Sequence, residues 1–152
     1  MQVDFHSGVT DKLGHACRLL RKAVRQGARV QVCGDAQELD ALDQALWTFD
    51  PQDFIPHLRW RTHDAPPPAL HRTPVWLVET GQPWPDGLAR PAVLVNLGPQ
   101  PPQAPDLSPA VARVVEIVGH DPAEVEAGRR RWRHYAQRGL EPAHHKFTRE
   151  SA

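Results

Sequence analysis

A chain of 152 residues fits one domain around a single core, since domains most often run to about 100–150 residues, and 40% hydrophobic with 24% charged residues excludes a disordered or fibrous protein. Eighteen basic residues balance eighteen acidic ones, so the chain lacks the overall positive field that draws a general nucleic-acid binder to phosphates. No run reaches the roughly 18 apolar residues of a membrane span, and the first residues lack the basic and apolar regions of a signal peptide.

Along the chain, Val3, Phe5 and Ser7 alternate with polar neighbours, a weak strand signal over 3–9. Leu13, Ala16, Cys17, Leu20 and Val24 then fall on one helical stripe, with Thr10 or Asp11 as N-cap and Gly27 as stop. Val30 and Val32 predict a second strand, and Asp35 with Glu38 has the spacing of a capping box opening a helix that carries Leu39, Leu42 and Leu46. This strand–helix–strand–helix order predicts an α/β fold with a mainly parallel sheet. "PVWLVE" (74–79) and "PAVLVNLG" (91–98) read as buried central strands, and the proline-rich stretches 64–74 and 98–109 as surface loops. "RVVEIVG" (113–119) is a further strand, and Asp121, Pro122 and Glu124 open a last helix over 122–138, with Gly139 closing it. The folded unit is expected to span 1–140, leaving 141–152 as a loosely held tail.

Chemistry-bearing motifs are sparse. The turn after the first strand, "HSGVTDK", has neither GxGxxG nor GxxxxGK[ST], and "CGDAQ" after the second puts an acid where phosphate would sit. No cofactor is expected, and a nucleotide-dependent enzyme is the weakest of the rival readings. The nine histidines include no HExxH pair, and His144 and His145 lie in the expected tail, so no metal site is expected. Ser7 beside His6 is adjacency rather than a catalytic arrangement. Cys17 and Cys33 stand in apolar contexts without a CxxC partner and read as reduced core thiols of a cytoplasmic protein.

Two constellations stand out. "GRRRWRHYAQRG" (128–139) holds five arginines and no acid, but fifteen of the eighteen cations in the chain are arginine, so abundance alone says little. Helical spacing is more informative: it puts Val125, Arg129, Trp132, Arg133 and Ala136 on one face and leaves Arg130, Arg131 and Arg138 to solvent. Such a face suits an acidic peptide ending in an aromatic residue. It equally suits a core tryptophan flanked by solvated cations, or a weak single-stranded nucleic-acid site with bases stacked on Trp132. In "LDQALWTFDPQDFIPH" (42–57), Trp47, Phe49, Phe54 and Ile55 crowd a helix exit that Pro51 and Pro56 keep irregular, as a core plug or a protein-binding patch.

With both segments in view, the chain resembles the chi subunit family of bacterial DNA polymerase III holoenzyme, associated with the clamp loader. The resemblance rests on "LDQALW" (42–47) with "FIPH" (54–57), and on "VVEIV" (114–118) with "RRRWRHYAQRG" (129–139). It implies a Rossmann-like three-layer fold without nucleotide, helices on both faces of the sheet, and a non-catalytic adaptor in DNA replication. One implied partner is the acidic C-terminal tail of single-stranded-DNA-binding protein, on Val118, Arg129, Trp132 and Arg133. The other is the psi subunit or a competing helicase-type protein, on Trp47 and Phe54 with Phe49 and Pro56 beside them; nucleic acid would be reached only indirectly. Val125 stands where the family can carry a lysine, so one cation of the tail site is missing or supplied from elsewhere.

Overall fold

Among the described residues, three aspartates start the three α-helices. Asp11 accepts a hydrogen bond from the Gly14 amide at 3.0 Å ahead of α1 (Lys12–Arg25). Asp35 accepts from the Glu38 amide at 2.7 Å ahead of α2 (Ala36–Thr48), and Asp121 from the Glu124 amide at 2.9 Å ahead of α3 (Pro122–Gln137). Each cap satisfies an amide that the helix itself leaves unpaired and contributes about 1 kcal/mol. At α2 the Glu38 side chain also accepts from the Asp35 amide, at 3.1 Å, and closes the capping box. At α3 the corresponding Glu124 turns away to the Gly119 amide and Lys12. These elements come from a computed structural model, which describes residues 1–147.

Seven strands, β1 (Gln2–Val9), β2 (Val30–Cys33), β3 (His57–Trp60), β4 (Val75–Val78), β5 (Val93–Asn96), β6 (Arg113–Gly119) and β7 (Ala143–Lys146), form one sheet in the order β3-β4-β2-β5-β6-β1-β7. Every pairing is parallel, and the result is the α/β, Rossmann-like three-layer arrangement expected from the alternating elements. The central strands are nearly continuous apolar runs because both of their faces are covered. Val30, Val32, Leu77, Val95 and Ile117 point to one face and pack with Leu20 of α1 and Leu39 and Leu42 of α2. Phe5, Leu94, Val114 and Val118 point to the other, under Tyr135 of α3.

Among the described residues, no α-helix covers β3 and β4 on the α3 side. There Leu70 of the 64–74 stretch, with Trp84 and Leu88 of the loop after β4, substitutes for one, packing with Trp76 and Val78 of β4 and Leu58 and Trp60 of β3. The indole N–H of Trp76 donates to the Thr73 carbonyl and that of Trp84 to the Leu88 carbonyl, both at 2.8 Å. With Leu70 packed here and Leu107 of the 98–109 stretch packed against the core beneath α3, both proline-rich stretches contribute to the core and are not merely surface loops. The strand β3 begins immediately after Pro56, where a proline ends irregular chain at a sheet edge and the next residues are free to pair.

Residues 143–146, expected within a tail, form β7 instead. Asp4 pairs with Ala143, Phe5 with His144, His6 with His145 and Ser7 with Lys146. All four β7 side chains are exposed, so the strand has no apolar alternation for a sequence reading to detect; its backbone pairing and its alternating histidines hold it. His145 bonds Asp4 at 3.2 Å on the α1 side, while His144 bonds the Ser7 hydroxyl on the α3 side. The remaining expected tail, 148–152, lies outside the described residues.

Under β7 on the α1 side, the buried His6 and His15 rings share a hydrogen bond of 2.8 Å, with Phe147 against both. Burial, reinforced by the neighbouring His15 and His145, lowers His6 to about 4, and burial lowers His15 as well. The folded protein therefore holds His6 neutral at a pH where the unfolded chain, titrating near 6.5, already binds a proton. Stability is complete above that value and is lost as pH falls from about 6.5 towards 4. His6 alone should cost about 2 kcal/mol between pH 7 and pH 4.5. Urea unfolding at the two pH values reads it; a stability that stays level through this window, or a loss that His6→Asn leaves unchanged, would contradict the assignment.

Candidate functional site

The helix α3 is anchored on a buried carboxylate. Glu116 sits in the middle of the apolar run of β6, fully inaccessible, and accepts from Arg131 Nε at 2.8 Å, Tyr135 Oη at 2.7 Å and Asn96 Nδ2 at 2.9 Å. Burial pushes this carboxyl up from the usual carboxylate range, opposed by the Arg131 charge and the hydrogen bonds. Burial and the facing Glu116 push the Tyr135 phenol up too, so it remains a donor. Arg131 reaches further, to the carbonyls of Pro99 and Ile117, and is only 1% exposed. This corrects its expected place among the solvated arginines. A lone glutamate inside "VVEIV" was the signal that a buried cation had to face it.

Arg131 and Tyr135, four residues apart, fix which side of α3 meets the sheet, and thereby turn Arg129 and Trp132 towards β1 and β7. Gly128 lets the helix approach closely: a Cβ there would lie 2.9 Å from a Val118 methyl. Between α3 and the β1–β7 edge lies a groove of about 560 Å³. Phe5, Val118 and Gly128 form its apolar floor, and Val125, Arg129 and Trp132 its α3 wall. Ser7, Gly8, His144 and Lys146 form the opposite wall, with His120 also lining the groove. The Trp132 ring packs on Phe5 at 5.1 Å and meets His144 at 6.1 Å, so a single indole serves both the core and the groove.

Of the four residues expected to hold a tail, Val118, Arg129 and Trp132 come together in this groove. Arg133 is exposed but does not line it. Neither Arg129, Arg133 nor Lys146 makes an ion pair among the described residues, whereas Arg130 pairs with Glu126 along the helix. Lys146 and His144 escaped the sequence reading because they stand on the strand that had looked like a tail.

The helix exit at 42–57 divides into two halves. Ile55 is buried in the core and Phe49 packs against it under the Arg21 guanidinium. Trp47 and Phe54 face solvent, each 57% exposed, and stack on one another at 5.4 Å. His57 supports the pair from beneath, its ring 5.0 Å from Trp47, and is itself held by Asp43 at 2.8 Å and the Ile55 carbonyl at 2.8 Å. Pro56, half-buried, links the two halves. Plug and patch thus coexist, with Phe49 on the plug side.

At the carboxyl ends of the strands, where α/β folds commonly bind ligands, Lys12 is already engaged. It donates to the Leu97 carbonyl at 2.6 Å and pairs with Glu124 at 3.0 Å and Glu38 at 3.7 Å. Two carboxylates facing this crevice repel phosphate. Both cysteines are buried and free, and burial pushes both thiols up, Cys17 to about 11. No cluster of three metal-ligating side chains occurs among the described residues, and no helix among them is long and apolar enough to cross a membrane.

The sequence pattern of a family described as "DNA polymerase III chi subunit, HolC" matches residues 1–143. The chain belongs to that family. A relative named "DNA polymerase III subunit chi", from Pseudomonas aeruginosa PAO1, is 34% identical over 161 aligned positions, covering 97% of this chain and 98% of the relative. Chi membership makes the chain a replication accessory subunit of DNA polymerase III rather than a catalytic one. The chi pattern extends through α3 and stops at the first residue of β7.

Proposed function

We propose that the chain is a replisome adaptor with two docking surfaces: the α3 groove captures the acidic C-terminal tail of single-stranded-DNA-binding protein, and the Trp47–Phe54 pair anchors psi or a helicase-type partner. The observation that carries the reading is the groove itself, apolar along its floor and lined by cations that no described carboxylate neutralises, on a chain whose formal net charge is zero. In this reading Arg129 holds the acidic stretch or the terminal carboxylate by charge-assisted hydrogen bonds. The terminal apolar side chain lies against Phe5, Val118 and Trp132, where it leaves water. A short flexible peptide loses much of this gain to ordering, so micromolar affinity is expected, raised by avidity when several tails are presented on coated DNA.

Arg129→Ala and Trp132→Ala should each weaken binding of a peptide carrying the last ten residues of the organism's single-stranded-DNA-binding protein by about 1–3 kcal/mol, the range of central arginine and aromatic anchors. Calorimetric titration of both folded variants reads this, and unchanged affinity in both would sink the assignment. A retention assay separates the adaptor from a direct nucleic-acid binder: the chain should stay on protein-coated single-stranded DNA and wash off bare DNA.

A further inference from the structure

The two walls of the groove differ in origin and in charge. On α3, the residues turned to the groove are Val125, Arg129 and Trp132, so this wall supplies a single permanent cation. The facing wall is β7, and the pairing register decides which of its side chains enter. Phe5 lies on the α3 side of β1, and side chains two residues apart share a face. His144, opposite Phe5, and Lys146, opposite Ser7, therefore point towards α3, while His145 points to the α1 side and Asp4. A one-residue slip of β7 would remove Lys146 from the groove altogether. Gly8 helps fix that register: its φ is +69°, and its missing side chain admits the Phe147 carbonyl oxygen, which a Cβ would meet at 2.5 Å.

We propose that Lys146 is the second cation of the tail-binding groove, so that the acidic stretch of a bound peptide is held between Arg129 of α3 and Lys146 of β7. This rests on reading the groove as a tail site and goes beyond it by assigning a recognition role to a residue outside the 1–143 match. The occupant is an acidic peptide ending in an apolar residue. Its charge complements Arg129 and Lys146, and the floor of Phe5, Val118 and Gly128 complements its end. The site also answers how a groove with an apolar residue at position 125 retains two permanent positive charges.

The experiment is a titration of the full chain with a synthetic peptide carrying the last ten residues of the partner single-stranded-DNA-binding protein. Wild type, Lys146→Gln, Lys146→Arg, Arg129→Gln and the Arg129→Gln, Lys146→Gln double variant are compared at low and high salt. Lys146→Gln should weaken binding about 5-fold at low salt, Lys146→Arg should stay within about 2-fold of wild type, and the salt dependence of Lys146→Gln should be shallower than that of wild type. The double variant should be weaker than either single one. Wild-type affinity and salt dependence in Lys146→Gln, alongside a loss in Arg129→Gln, would overturn the assignment of Lys146 and leave the tail site standing. Failure of the wild-type chain to bind the peptide at all would overturn both. Lys146 is exposed and its side chain makes no hydrogen bond or ion pair among the described residues, so equal melting temperatures should accompany the loss.

Discussion

Arg131→Met should lower the unfolding free energy by about 3–5 kcal/mol, the cost of leaving one partner of a buried ion pair uncompensated. Glu116 has no route to water and would retain only Tyr135 and Asn96 as partners. The same substitution frees the Pro99 and Ile117 carbonyls that Arg131 now serves. Removing both charges together is a different experiment: Arg131→Met with Glu116→Leu removes the uncompensated charge and should recover part of the loss, the remainder reflecting the Tyr135 hydroxyl left without its acceptor. Urea denaturation of the two single variants and the double variant completes the cycle. A loss below about 1 kcal/mol for Arg131→Met alone would show that Glu116 is not held as described. Because Arg131 and Trp132 are neighbours on α3, tail binding should fall in the single variant as the helix shifts over the sheet.

Gly8→Ala should release β7 while leaving the rest of the molecule folded. A left-handed backbone costs an L-residue about 1–2 kcal/mol, and here the added Cβ also meets a backbone oxygen that cannot rotate away. The cheapest relief lies in β7, which buries none of its four side chains and sits at the sheet edge. Global stability should therefore fall by no more than the small free energy of docking that strand. Amide exchange over residues 143–147 should accelerate by about 10-fold or more, one decade for each 1.4 kcal/mol lost, and peptide affinity should drop with it. Protection in β7 equal to that of wild type would contradict this. Protection lost equally in β5 and β6 would show that β7 is not the separable unit.

These two variants mark the boundary of what could be read before the fold was known. Periodicity, caps and apolar runs were enough for α1, α2, α3 and the central strands, because those elements bury side chains in repeating patterns. Helical spacing put Arg129 and Trp132 on one face of α3 for the same reason, together with Arg133, which does not line the groove; Val118 joined them only through the resemblance to the chi family. Three features were not local. Arg131 looked like its solvated neighbours until Glu116, fifteen positions away, claimed it. The strand β7 carries His144, His145 and Lys146 with no apolar face, so only its partner β1 identifies it as a strand. The loops on either side of β4 look irregular in sequence because their role, packing Leu70, Trp84 and Leu88 against Trp76, needs side-chain placement without α-helix or strand pairing.

The register of β7 on β1 also sets an order of events during synthesis. Phe5 and Ser7 leave the ribosome long before His144 and Lys146, which face them across the sheet edge. A nascent chain can complete α1, α2 and most of the sheet with only one side of the groove in place. In the proposed reading, recognition therefore waits for β7: an acidic tail encountered before residue 146 has emerged would meet Arg129 and an open sheet edge, with the second wall of the groove still missing.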